Sequence, residues 1–364
     1  MTSLTGSKLK RNYPVIAVSM GDMNGIGPEV IIKALSAAPL PQAGIQLFGP
    51  ANVMEYYADL LGITPLWSEN GPSTTYRFQS GHINEPGTGA GSFYPIPEPG
   101  QVLVIPSPES DDPINPGAIT AEAGAYSMQA ISSAVSSCLS GNADAIVTAP
   151  ISKEAISKAG YRVPGHTEYL AELTQTAEAG MMLVNEAMRV GLATIHIPLQ
   201  QVAGELTKEV IKRRITLFHR TLQTAFGISS PVIAALGLNP HAGDGGVLGK
   251  EETEVIEPAI AELRSLGLEV SGPWPADGFF GKKQHKEVDM VFAMYHDQGL
   301  IPFKLAAFGG GVNVTAGLPI IRTSPDHGTA FSIAGTNSAN ASSMQAAFSL
   351  ALQMIKRRFT FRTG

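Results

Sequence analysis

Residues 231–241, PVIAALGLNPH, pass from an apolar run that reads as a buried strand into a turn ending on His241. Residues 191–196 (GLATIH) and 289–296 (DMVFAMYH) have the same form and end on His196 and His296. Short apolar runs that alternate with helical patterns mean βαβ units and a largely parallel sheet. Parallel strands deliver their carboxyl ends to one edge, so residues placed there converge although they lie far apart in sequence. Three imidazoles at one edge read as a divalent-metal site with an open position, because catalytic zinc keeps three protein ligands and leaves the fourth for a substrate oxygen. A lone histidine in such a chain is more often a structural residue; the repeated placement is what points to ligands.

Outward from these segments the alternation continues. Strands are expected at PVIAVSM (14–20), IQLFGP (45–50), VLVIPSP (102–108), ADAIVTAP (143–150) and GLATIHIPL (191–199). Helices are expected from about Pro28, over Ala51 to Leu61, Ile119 to Leu139, Lys208 to Phe226 and Glu251 to Leu266, with a last one from Ala339 to about Arg357. Between Asn70 and Gly100 the Gly, Pro and Ser content indicates an irregular excursion, with a short strand at Tyr76 to Phe78.

The chain of 364 residues is long enough for two domains. Its net charge of -6 and lack of a Lys/Arg run argue against a nucleic-acid surface, which needs clustered cations. The single cysteine, Cys138, excludes an intrachain disulfide and a thiolate metal cluster, and reads as a packed, inert residue. No apolar stretch reaches the roughly 20 residues that span a bilayer. Lys8, Lys10 and Arg11 are followed by no apolar core, so residues 1–13 read as a flexible leader and not a signal peptide; a cytoplasmic location is expected.

Three glycine-rich places offer ligand contacts. GDMNGIGPEV (21–30) is a tight strand-to-helix turn whose spacing does not fit the dinucleotide fingerprint. In FGGGVNVTAGLPIIRTSPDHGTAFSIAG (308–335), consecutive glycines expose backbone N–H groups, and Asn313, Arg322 and His327 add donors. Lys304 and Arg322 combine a mobile point charge with a planar fork, a pairing suited to a small phosphate or carboxylate. In PGHTEYLAELT (164–174), His166 and Thr167 stand at a helix entrance, where free N–H groups attract anions.

Together these segments resemble the 4-hydroxythreonine-4-phosphate dehydrogenase family of vitamin B6 biosynthesis. The matching stretches are GDMNGIGPE, TAPISK (148–153), GHTEYLAE, GLNPHAGDGG (237–246), ADGFF (276–280), YHDQGLIPFK and GVNVTAGLPIIRTSPDHGTA, in the family's order from about residue 14 to 350. GDMNGIGPEV and DHGTAFSIAG are also similar to glycine motifs of the wider isocitrate and isopropylmalate dehydrogenase group. The resemblance implies an α/β, two-domain isocitrate/isopropylmalate dehydrogenase-like fold with largely parallel sheets and a cleft between domains. Residues 14–150 and 300–364 would form the first domain, and 151–299 an inserted second domain with dimer contacts. It further implies a homodimer whose active site lies at the subunit interface.

Carried over by residue, the resemblance makes His196, His241 and His296 metal ligands and His166, Thr167, Lys304, Asn313 and Arg322 substrate contacts. Asp277 and Lys304 become the catalytic candidates, and His327, Gly328 and Thr329 the cofactor contacts. The implied cofactors are NAD and a divalent metal, zinc first, with magnesium or cobalt as alternatives. The implied reaction oxidises 4-phosphooxy-L-threonine to a β-keto acid that decarboxylates to 3-amino-2-oxopropyl phosphate in pyridoxal phosphate biosynthesis. Asp244 and Val247 stand where the family commonly has a glutamate and a second histidine, and Met23 and Asn24 replace a Pro-containing turn. A related dehydrogenase for a phosphorylated sugar acid or a cyclic dihydrodiol dicarboxylate therefore stays open. So do a metal-dependent hydrolase, which needs no NAD, and an acyl-group transferase, which needs no metal.

Overall fold

The computed structural model describes residues 11–37, 42–63, 94, 96–105, 112–307 and 310–363. The expected strand at Tyr76 to Phe78 and the first ten residues of the expected leader lie outside them. In chain order the strands are β1 (Val15–Ser19), β2 (Gly44–Phe48), β3 (Val102–Ile105), β4 (Ala145–Thr148), β5 (Gly180–Val184), β6 (Arg189–Leu192), β7 (Val232–Leu236), β8 (Glu269–Trp274), β9 (Met290–Ala293), β10 (Val312–Ala316) and β11 (Ile321–Pro325).

The chain forms two compact units, one ending at Thr176 and resuming over Leu318–Lys356, the other Ala177–Gly317 with the residues from Arg357. These limits fall later in the chain than residues 150 and 299, the boundaries expected from sequence. Helix His166–Leu173 belongs with the first unit because Leu170 and Tyr169 pack into its core with Met128 and Ile131. β10 belongs with the second because it pairs with β5.

In the first unit the strand order is β3-β2-β1-β4-β11, all parallel. β1, β2 and β4 are buried along their whole length, as expected for strands covered on both faces. Helix Ala121–Leu139 covers one side, seating Met128, Ile131 and Val135 against Val15, Ala17 and Ile146. It begins two residues later than expected, where Thr120 caps it, its Oγ1 accepting the Ala123 amide at 3.1 Å. Cys138 is partly buried against the same cluster. Arg11 does not behave as part of a leader: it donates to the Gly141 carbonyl at 3.0 Å and meets Asp144 at 3.4 Å, while Asp144 also accepts the Val15 amide. This tie fixes the entrance of β1 beside β4.

In the second unit β6, β9, β7 and β8 run parallel in that order, and β5 is antiparallel to both β6 and β10. Helix Lys208–Phe226 presents Ile211, Ile215, Phe218, Leu222 and Phe226 inward at helical spacing. Phe218 lies over Gly180 and Gly191; a Cβ at Gly191 would come within 2.8 Å of its ring. The α/β reading with largely parallel strands therefore holds. GLATIH is strand only as far as Leu192, although Ala193 and Thr194 still donate to the Ala293 and Met294 carbonyls beside it.

Candidate active site

In the first unit the carboxyl ends of β1, β4 and β11 assemble two of the glycine-rich places. Gly21 has φ +77°, and a Cβ there would sit 2.4 Å from the Pro150 carbonyl oxygen, so the turn after β1 lies directly on the turn after β4. The Asp22 amide donates to that same carbonyl at 2.9 Å. The far side of the turn meets the DHGTA segment: Ile26 N–H donates to the Thr329 carbonyl at 3.0 Å, and Gly25 leaves room for the Thr329 side chain. Beneath it, the buried Tyr57 hydroxyl lies 3.0 Å from the Met23 carbonyl and 3.2 Å from that of Gly25. Asn24, one of the departures from the family pattern, accepts the Asn115 amide at 2.8 Å and so holds the 112–117 segment.

Asp22 is fully buried, and its Oδ1 accepts the Asn24 amide at 2.9 Å. Burial pushes its carboxyl up to about 6, against backbone hydrogen bonds that pull it down. A raised carboxyl favours folding below the unfolded pKa and loses that contribution as pH rises through the folded one. Asp22→Asn, which keeps the Oδ1 acceptor, should therefore gain stability relative to the parent as pH rises from about 4 to about 6 and keep that gain above, on the order of 3 kcal/mol in all. Thermal melts of both proteins across that interval check it, and parallel melting curves would contradict it.

Arg322 lies on β11 and is 2% exposed. Its Nε and Nη2 donate to the Thr148 hydroxyl at 3.2 and 2.7 Å. Burial alone lowers the guanidinium to about 9, which leaves it charged at neutral pH. His166 stands next to it at the start of helix His166–Leu173. Desolvation first, then the Arg322 charge, holds its imidazole well below the usual range, so it is neutral. Its Nε2 is sealed from solvent without a partner, and so is the Nε2 of His327. Thr167 follows in the first turn, half-buried. A dry cation, a neutral imidazole and free helix N–H groups make a binding place for a small anion.

In the second unit, β6, β9 and β7 are consecutive parallel neighbours, and each is followed by one of the three histidines. His196 and His296 meet with ring centroids 5.7 Å apart and planes tilted by 42°. His296 Nδ1 is 2.7 Å from Asp297 Oδ1; the tautomer that donates there leaves Nε2 as the ligand atom. His241 stands apart from this pair, exposed on a turn in which His241, Ala242, Gly243, Asp244 and Gly245 all have positive φ. Among the described residues, no three of His, Cys, Asp and Glu gather closely enough to hold an ion. Asp277 is exposed on helix Ala276–Gly281, which packs against the His241 turn. Lys304 is exposed eight residues into the helix that His296 begins, about 12 Å along its axis. Asn313 lies on β10, where its Oδ1 is buried without a partner.

The sequence did not single out Thr148, Tyr57, Glu252 or Gln298, which hold these groups in place. TAPISK and YHDQG contain Thr148 and Gln298, but nothing local in either motif says what the side chain will touch.

An α/β chain that keeps a buried guanidinium beside a neutral imidazole at its strand ends has the equipment of an enzyme for a small anionic substrate. The chain belongs to the family of pyridoxal phosphate biosynthetic protein PdxA, whose model matches residues 45–351. It is 42% identical over 348 residues to a 4-hydroxythreonine-4-phosphate dehydrogenase of Prosthecochloris aestuarii, covering 94% of this chain and 97% of the relative. The corresponding protein of Pseudomonas aeruginosa is 40% identical, with 94% and 98% covered. The crystal structure of 4-hydroxythreonine-4-phosphate dehydrogenase from Klebsiella pneumoniae matches with a TM-score of 0.76 at 39% identity, covering 94% of this chain and 99% of that one. A terephthalate 1,2-cis-dihydrodiol dehydrogenase from Burkholderia xenovorans matches with a TM-score of 0.61 at 28% identity, with 94% and 98% covered. No described helix is long and apolar enough to cross a membrane.

Proposed function

We propose that the chain oxidises 4-phosphooxy-L-threonine with NAD to a β-keto acid, which loses carbon dioxide to give 3-amino-2-oxopropyl phosphate, in the cytoplasm. The observation that carries this reading is Arg322, held almost dry against Thr148 with His166 beside it. A guanidinium in that setting gains most from a ligand that returns a full negative charge in a forked geometry, as a phosphate does. The relatives' names supply the particular compound. The higher identity and TM-score of the Klebsiella enzyme over the dihydrodiol dehydrogenase favour the phosphorylated substrate.

Arg322, His166 and Thr167 bind and orient the substrate, with Lys304 and Asn313 completing the polar contacts. Fixing the reacting carbon in one orientation removes much of the entropic barrier to reaction. His327, Gly328 and Thr329 take the nucleotide, next to the β1 turn that already packs on Thr329. Asp277 accepts the hydroxyl proton. A divalent ion on His196, His241 and His296, zinc first among zinc, magnesium and cobalt, would supply Lewis acidity at the substrate alcohol, while the nicotinamide would take the hydride.

The donor chemistry fits such an ion: two imidazoles already face each other, one of them oriented by a carboxylate. A homodimer with the active site at the subunit interface accounts for the third standing on an exposed turn. Exposed Val247 and Leu248 just beyond His241, and Leu199 close to His196, support an interface there. The test is a panel of phosphorylated and unphosphorylated hydroxy acids, followed by nicotinamide absorbance. Rapid NADH formation with 4-phosphooxy-L-threonine is expected. Turnover of the dihydrodiol alone, or hydrolysis without nicotinamide reduction, would overturn the reading.

A further inference from the structure

Glu252 is fully buried, yet its partners are backbone and amide N–H groups of the segment that leads to His241. Its Oε1 accepts the Leu238 and Asn239 amides at 2.7 Å each, and its Oε2 accepts Asn239 Nδ2 at 2.9 Å. Asn239 Nδ2 is shared with Glu251 Oε2 at 2.8 Å. The fit is tight: a Cβ at Gly243 would fall 2.6 Å from Glu252 Oε2, and one at Gly249 2.3 Å from Asn239 Nδ2. Glu252 opens a stretch of π-helix, a departure from α geometry of the kind often found at functional sites. Burying a carboxylate is costly unless hydrogen bonds replace its water, and here three N–H donors do so.

We infer that Glu252 is a positioning residue for His241, setting through Leu238 and Asn239 the entrance of the left-handed turn that presents that imidazole. The inference rests on the reading of His241 as a metal ligand. Left-handed backbone at His241, Ala242 and Asp244 is unfavourable for residues with side chains and persists only where its surroundings hold it. The Glu252 carboxylate accepts both backbone amides that lead into that strained stretch, those of Leu238 and Asn239. Glutamine cannot substitute: one of its two positions becomes a donor facing Asn239 Nδ2, and turning the Asn239 amide over would set its oxygen against Glu251.

The experiment titrates the full-length apo protein with zinc against a chromophoric chelator, alongside thermal melts. The parent, Glu252→Gln, Asn239→Ala, His241→Ala and the control Glu254→Gln, a neighbour on the exposed side, are compared. Glu252→Gln should weaken zinc binding roughly 10- to 100-fold, the usual cost of losing a partner that orients a ligand. Glu254→Gln should leave it unchanged. Adding His241→Ala to Glu252→Gln should produce no loss beyond that of His241→Ala alone. Should Glu252→Gln fail to fold, Asn239→Ala carries the same expectation. Unchanged zinc affinity in a folded Glu252→Gln protein, or independent losses in the double variant, would overturn the inference alone. Unchanged affinity in His241→Ala would take the metal assignment down with it.

Discussion

His241→Ala is expected to lose its bound divalent ion and to lower kcat by roughly a thousandfold or more, because Lewis-acid stabilisation of the reacting oxygen contributes several kcal/mol. The fold should survive, since His241 is an exposed residue outside both hydrophobic clusters. Metal content and steady-state turnover measure the effect; a variant that keeps zinc and full activity refutes the assignment. The arrangement within one chain makes a sharper version possible. His196 and His296 form a pair, while His241 stands away from it. If a partner subunit completes each site, mixing His241→Ala chains with His196→Ala chains should restore activity to about a quarter of the parent's, because half the dimers are mixed and carry one intact site. No recovery on mixing would mean that all three ligands come from one chain.

Arg322→Met should reduce kcat/KM for the phosphorylated substrate by roughly 10³-fold, given the worth of a desolvated, forked contact to an anion. KM for NAD should change little, because Thr329 and the turn at Gly25 do not rely on the guanidinium. Lysine at this position should rescue poorly: a point charge cannot donate in the fork geometry that spans Thr148 and a ligand. Methionine fills a similar volume without a buried charge, so the melting temperature should stay near the parent's. Equal losses toward substrate and nucleotide would show that Arg322 does not bind the substrate.

Much of the architecture was legible because it depends on local patterns. Helices Ala51–Leu61 and Lys208–Phe226 match expectation to the residue, bounded by αL glycines at Gly62 and Gly227 and, for the second, by the Thr207 cap. β5, β8, β10 and β11 were not legible. MMLV is too short to separate from its surroundings, and VNVTAGLPIIRTSP reads as loop because Gly317 and Pro319 break an alternation that only long-range pairing completes. At the site, residue types and strand-end placement pointed to the histidines and to Arg322. Their dryness, and the side chains that aim them, depend on contacts such as Thr148 with Arg322, 174 residues apart.

Gln298 ties together two strand ends that each lead to a histidine. Its Oε1 accepts the Met294 amide at 2.7 Å, just after β9, and its Nε2 donates to the Gly237 carbonyl at 2.6 Å, just after β7. One rigid amide thus yokes the backbone two residues before His296 to the backbone four residues before His241. A shove on either imidazole has a short, stiff route to the other, so the pair should answer a change at either position as a single hinge-free body.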